Sequence, residues 1–156
     1  MHKTPEITRL IHENFSTVLY FAFGQPVIGA VIKAKFVGEC KYLNKTVYER
    51  SEILADRALL EMATQMRVLD DAEGLSESFK QFGTFAFGEV IQSDGTKTPL
   101  YFRDMTNKVM HASSFKWDVS APNDPKIICL PHDEGRWKEA HVDIIALMSL
   151  MAQLMY

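Results

Sequence analysis

The chain contains few cysteines and has no excess of basic residues. The 156 residues include two cysteines, Cys40 and Cys129, whose separation fits no metal-binding motif. Two thiols without such a motif are more typical of a reduced cytosolic protein than of a disulfide scaffold. The formal net charge is −3, so nucleic-acid binding would need a local basic patch. One basic run is present, and its composition favours a solvated face over a phosphate contact: Lys33, Lys35, Lys41 and Lys45.

Long apolar runs are also missing. The most apolar stretch, IIALMSLMAQLMY at residues 144–156, has 13 residues, whereas a transmembrane helix needs about 20. The first residues, MHKTPEITRLIHEN, carry charges and lack the apolar centre of a signal peptide. We therefore expect a cytoplasmic protein that contacts no membrane.

Common catalytic motifs are absent from the sequence as well. It contains no glycine-rich phosphate loop, no Gly-x-Ser-x-Gly nucleophile elbow and no Cys-x-x-Cys pair. One group has metal-binding residue types, but its spacing favours a turn: His132, Asp133 and Glu134, with His141. The sequence therefore predicts no metal and no cofactor.

The length and composition are those of one globular domain, residues 1–156. Thr4 and Pro5 form a typical helix start, and apolar residues then recur at helical spacing. We predict a first helix over about 5–22 that ends before Gly24 and Pro26, because glycine and proline interrupt helices.

A second helix is the clearest element in the sequence. Residues 48–71 have a broad apolar face, and Gly74 is suited to end such a helix. This is the predicted central core helix. The preceding stretch, residues 27–43, has β-branched residues but favours a helix by its length. The polar stretch after Gly74 predicts a loop with a short hairpin at Asp94-Gly95.

The last third of the chain predicts strands and a final helix. Residues 115–144 form three short alternating runs separated by turn residues, which is typical of an antiparallel meander. Residues 143–155 form an apolar helix that a small chain could bury fully only with a second copy, so we expect a homodimer. The predicted fold class is mainly α (α+β): a helical bundle, a three-stranded meander and a C-terminal helix.

A polar stripe lies on a further helix, predicted to begin at Thr98 and Pro99 and to end before Ser113. At about 100° per residue, its members fall within an arc of about 100°, opposite an apolar face. The members are the candidate site residues: Arg103, Asp104, Asn107 and His111. The stripe can be a solvated helix face, a structural network in which Asn107 and His111 bond the following strands, or a site.

The stretch LYFRDMTNKVMHA, residues 100–112, resembles the motif helix of HEPN-domain proteins. These are small helical domains common in prokaryotic toxin–antitoxin and phage-defence systems, and many are metal-independent RNases. Arg103, Asp104 and His111 match the residue types of their signature, and the helix order over about residues 1–112 also fits. The resemblance implies a HEPN-like helical domain, here with a strand-rich extension from about residue 115.

The resemblance also implies a mechanism. His111 would be the general acid or base, Arg103 would stabilise charge on the phosphoryl oxygens, and Asn107 would orient the phosphate. A dimer would supply a second histidine. However, seven residues separate Arg103 from His111, which is longer than the family signature. We therefore favour a non-catalytic binding or interaction module, with RNA or a protein as partner, over an RNase or toxin.

Overall fold

The computed structural model of the chain contains five α-helices, a short π-helix and five strands among the residues that it describes, 4–36, 38, 42–81 and 86–154. The helices are α1 (Thr4–Lys35), the π-helix (Asn44–Glu49), α2 (Arg50–Glu73), α3 (Leu75–Gln81), α4 (Phe102–Met110) and α5 (Ile144–Gln153). The strands are β1 (Gly88–Gln92), β2 (Lys97–Pro99), β3 (Ala112–Asp118), β4 (Lys126–Pro131) and β5 (Trp137–Asp143).

Helices α1 and α2 form an antiparallel pair. The Thr4 hydroxyl donates to Glu73 at 2.9 Å, and the Asn14 amide donates to Gln65 at 3.0 Å, so the start of α1 lies beside the end of α2. The apolar faces of both helices contribute to one core, as predicted for α2. The predicted stop is confirmed, because Gly74 ends α2 with a left-handed φ of 66°.

Helix α1 is longer than the sequence predicts. The predicted end before Gly24 and Pro26 is wrong, since the helix continues to Lys35. Proline removes one backbone hydrogen bond inside a helix, but contacts on both sides hold this turn. Phe21 is buried, and the Gln25 amide donates to the Tyr48 hydroxyl at the end of the π-helix. The helix favoured for residues 27–43 is confirmed as far as Lys35; residues 37 and 39–41 lie outside the described residues.

The sheet is antiparallel throughout, in the order β2-β1-β5-β4-β3. The predicted meander corresponds to β3, β4 and β5, so the α+β class is confirmed. A count of three strands is wrong, because the predicted Asp94-Gly95 turn joins two further strands that extend the sheet from β5. Gly95 has a φ of 87°, a conformation that suits glycine in such a turn.

One face of the sheet packs on the core. Buried residues alternate with more exposed ones along β5, whereas three successive residues of β4, Ile127 to Cys129, are all buried. The fully buried inward side chains are Val90, Ile127, Cys129, Ala140 and Val142. Only glycine fits at position 88, because a Cβ there would lie 1.8 Å from the backbone oxygen of His141. This glycine therefore permits β1 to approach β5.

Helix α5 packs its apolar side into the same core, as predicted. Ile144, Leu147, Leu150 and Met151 are buried, whereas Ile145 and Met148 remain exposed. Most of the apolar surface that motivated the homodimer prediction is thus covered by the chain's own fold.

The structure also corrects the expectation about apolar length. By length and composition, α1 could cross a membrane, and only 22% of its most apolar 18 residues are buried. The sequence between Glu13 and Lys33 contains no charged residue, but polar residues, two glycines and Pro26 interrupt it, so it does not form an unbroken apolar run. Core helices of soluble proteins and signal sequences can have the same length and composition.

Candidate functional site

Helix α4 carries the predicted polar stripe but begins later than predicted. Thr98 and Pro99 belong to β2, where Thr98 pairs with Val90 of β1, and Tyr101 immediately precedes the helix. The predicted helix start at Thr98 and Pro99 is wrong, because these residues pair with β1 in the sheet instead. The helix ends at Met110, so His111 lies just after it.

Arg103 points to the end of α2. Its Nη1 lies 2.6 Å from Asp70 Oδ2 and 3.1 Å from Asp71 Oδ1. The Asp70 side chain is 1% exposed and also accepts hydrogen bonds from the Ser76 amide at 2.6 Å and the Ser76 hydroxyl at 3.1 Å. This carboxylate therefore joins α2, α3 and α4.

The charges of this contact stabilise each other. Burial opposes ionisation of Asp70, but the hydrogen bonds from Ser76 and Arg103 outweigh it, so the pKa of Asp70 lies below its ordinary value. The hydrogen bonds to Asp70 and then Asp71 raise the pKa of Arg103. The guanidinium thus takes part in two ion pairs, both through Nη1.

Asn107, one turn after Arg103 in α4, contacts α2 about one turn before Asp71. Its Oδ1 accepts a hydrogen bond from Arg67 Nη1 of α2, and Arg67 Nε lies 3.7 Å from Asp71 Oδ1. Asn107 thus connects α4 to a neighbour, as in the structural alternative for the stripe, but its partner lies on α2 and not on the following strands. Its partner is a helix because this side of α4 packs along α2.

Asp104 lies on the side of α4 that contacts solvent. Its Oδ1 is 3.6 Å from Lys108 Nζ, one turn later in the helix. Lys108 Nζ in turn lies 4.6 Å from the centre of the Trp137 ring, a cation–π contact with β5. Asp104 therefore positions a lysine that joins α4 to the sheet, and it contacts no other member of the stripe.

His111 is an exposed member of the stripe and lies just after the helix. Its backbone N–H donates to the Asn107 carbonyl at 3.0 Å and ends the helix. No described residue forms a hydrogen bond with its imidazole, so His111 fits the solvated alternative rather than the structural one. The reason is its place after the last helical turn, where the side chain leaves the face that packs on α2.

The structure therefore separates the four predicted residues. Arg103 and Asn107 form a clamp with Arg67, Asp70 and Asp71 of α2, which we call the α2–α4 clamp. Asp104 and His111 lie outside this clamp. The charged residues of α2 are visible in the sequence, but their pairing with α4 is not, because Arg103 and Asp70 are 33 positions apart.

Sequence reasoning missed a polar cleft on the outer face of the sheet. Its volume is about 250 Å3, and its lining residues are Ala86, Gly88, Glu89, Lys126, His141 and Asp143. The alternation in WKEAHVD was the available signal, since it places Glu139, His141 and Asp143 on one face of β5.

Most charges at this cleft already have partners. His141 Nε2 lies 2.6 Å from Glu139 Oε2, and Lys97 Nζ lies 2.9 Å from Glu89 Oε1. Burial raises the pKa of Asp143, whose Oδ1 is buried without a hydrogen bond to a described residue. Because these charged side chains already form ion pairs, the cleft offers few unpaired charges that could bind a ligand.

Metal and thiol chemistry receive no support from the part of the chain that the structure describes. It contains no group of three or more potential metal ligands. The predicted turn at His132 to Glu134 is present, with Asp133 Oδ1 accepting the Gly135 amide at 2.9 Å. Burial raises the pKa of Cys129 to about 12, so this thiol is no nucleophile near neutral pH. Cys40 lies outside the described residues.

The chain matches no protein-family model, no curated protein and no solved structure.

Proposed function

We propose that the chain is a non-catalytic, HEPN-like interaction module that acts in the cytoplasm as a homodimer. The observation that carries this proposal is the α2–α4 clamp. Arg103 would have to stabilise a phosphoryl group for RNA cleavage, yet two carboxylates already pair with its Nη1 and offset its charge. A phosphate at Nη1 would have to displace Asp70, which is buried and hydrogen-bonded to Ser76.

The local charge also disfavours RNA cleavage at the stripe. Asp70, Asp71 and Asp104 offset the positive charges of Arg103 and its basic neighbours. A polyanion such as RNA would therefore meet no excess of positive charge. The purified protein should leave single-stranded and structured RNA intact in the presence of a chelator. Cleavage that is lost in both Arg103→Ala and His111→Ala would contradict the proposal.

A surface for the second copy is available on α5. This helix contains no charged residue, and its exposed positions recur at helical spacing: Ile145, Met148, Ser149 and Ala152. A two-fold axis beside α5 would pack this stripe against its own copy, since the same patch is presented by both subunits in such a dimer. The two largest side chains, Ile145 and Met148, are 42% and 41% exposed.

Sedimentation of wild-type protein at micromolar concentration should show a dimer. Met148→Glu should shift the equilibrium to monomer, because it places a charge at the centre of the apolar contact. Val68→Glu is the matched control, as Val68 is similarly exposed at 49% but lies on α2. A monomeric wild type, or equal loss of dimer in both variants, would refute the α5 interface.

A further inference from the structure

The end of the α1–α2 pair exposes an unusual amount of apolar surface. We call residues 27–36 and 42–48 the distal hairpin; it contains the end of α1 and most of the π-helix. No described residue between 27 and 54 is buried. The large apolar side chains that the distal hairpin exposes are Val27, Ile28, Val31, Phe36, Tyr42 and Val47.

The same segment concentrates positive charge. Lys33, Lys35 and Lys45 are exposed, and the described residues of the distal hairpin include no carboxylate. Over residues 27–48 the sequence has four lysines and one glutamate. Outside this segment the chain has 13 basic and 19 acidic residues, a formal charge of −6. The distal hairpin is therefore a basic, apolar end on an acidic protein.

We propose that the distal hairpin binds peripherally to an anionic lipid bilayer. An apolar surface combined with exposed lysines fits the boundary between headgroups and acyl chains, where apolar side chains are buried and lysines reach lipid phosphates. Phe36 and Tyr42 supply the aromatic side chains that favour this boundary. The charge complementarity extends to the rest of the chain, because the acidic body would be repelled from the lipid and would face the solvent.

The binding is peripheral because the apolar part of the distal hairpin is short. Residues 27–35 of α1 extend only about 14 Å, at about 1.5 Å per residue. A span of about 20 residues that ends at Lys35 would begin near residue 16 and would include Val18, Phe21 and Ala22, which are buried. The helix is long and apolar enough to span, but spanning would remove these side chains from the core. The proposal replaces the expectation of no membrane contact and agrees with a cytoplasmic protein.

The base of the distal hairpin is held in place by aromatic contacts. The Phe21 ring lies 4.9 Å from the Trp117 ring and 5.9 Å from the Tyr48 ring, measured between centres. Trp117 Nε1 donates to Asp56 of α2 at 2.7 Å. These contacts join both helices to β3, so the distal hairpin projects from a fixed base.

A second copy of the chain fits this surface less well than lipid. A two-fold contact through the distal hairpin would bring two basic surfaces together. In the described residues 27–36 and 42–48, no carboxylate is available to pair with them. Phospholipid headgroups provide the negative charge that such a contact lacks.

Co-sedimentation with vesicles tests the proposal. Wild-type protein should bind vesicles of phosphatidylcholine and phosphatidylserine, bind pure phosphatidylcholine weakly, and dissociate as salt is raised. The double variant Lys33→Gln/Lys35→Gln should lose about fivefold in partition coefficient per lysine. The control Lys116→Gln/Lys138→Gln removes two exposed lysines from the sheet and should bind within about twofold of wild type.

Substitution of an exposed apolar residue tests the contribution of the apolar surface. Val31→Asp should reduce binding by about tenfold, whereas Val68→Asp on α2 should bind like wild type. Circular dichroism on every variant shows whether it folds, and sedimentation without lipid measures dimerisation separately. Absence of a phosphatidylserine effect in wild type, or equal losses in the control variants, would overturn the proposal. Altered oligomeric state in Val31→Asp without any vesicle binding would assign the surface to a second copy instead.

Discussion

Arg103 and His111 have different surroundings, although both are polar residues of one short helix. Arg103 forms ion pairs with a buried and an exposed carboxylate, and His111 is exposed at the helix end. Removing a partner from a buried charged group is costly, because the remaining charge loses its compensation. Replacing an exposed side chain without partners changes little.

We therefore predict that two alanine variants differ in their effect on stability. Arg103→Ala should lower the denaturant midpoint, since it leaves the Asp70 carboxylate without its cation, and His111→Ala should change the unfolding free energy by less than about 0.5 kcal/mol. Urea unfolding followed by circular dichroism measures both. Equal effects of the two substitutions would contradict the assignment of Arg103 to the α2–α4 clamp.

At the scale of elements, Asp70 is the residue through which three helices meet. Its carboxylate accepts hydrogen bonds from Ser76 in α3 and Arg103 in α4 while it belongs to α2. Removing it leaves the Ser76 amide and the guanidinium without this acceptor. We expect Asp70→Ala to cost about 1–3 kcal/mol of unfolding free energy.

The pKa of Asp70 adds a pH dependence to this contact. Because the folded pKa lies below the unfolded value of 3.8, the carboxylate stabilises the fold above pH 3.8, and this contribution is lost as the pH falls through the folded pKa. Asp70→Asn lacks this titration. Urea unfolding should therefore show a gap between wild type and Asp70→Asn that is largest near neutral pH and narrows below pH 3.8. A gap that does not change with pH would refute the role of the charge.

Some of these elements could be predicted from sequence, and others could not. The apolar face of α2, its stop at Gly74 and the alternation in β3 to β5 are local signals, because each depends on neighbouring residues. The length of α1 depends instead on contacts across Pro26, such as Gln25 with Tyr48.

The candidate site shows the same limit. The residue types of the polar stripe were visible, and its helical spacing was mostly correct. The partners of Arg103 and Asn107 come from α2, and their positions depend on how two helices pack. The start of α4 was missed because Thr98 pairs in a sheet, an interaction with β1 that outweighs its local preference for a helix start.

For the whole molecule, burial is distributed unevenly between the body and the distal hairpin. The body contains the core made by the first half of α1, the middle of α2, α4, α5 and the inner face of the sheet. No described residue from 27 to 54 is buried. Local opening requires less free energy where few apolar side chains leave the core.

Native-state hydrogen exchange should therefore divide α1 into two parts. Amides of residues 28–35 should exchange through openings of lower free energy than those of residues 11–21, which share the helix but carry core side chains such as Ile11 and Val18. Amides of β4, from Ile127 to Cys129, serve as the reference for global unfolding. Uniform protection along α1 would show that the distal hairpin is stabilised by contacts beyond those of the chain's own fold. Anionic vesicles should slow exchange in residues 28–35 and leave β4 unchanged, because lipid binding stabilises the segment that it touches.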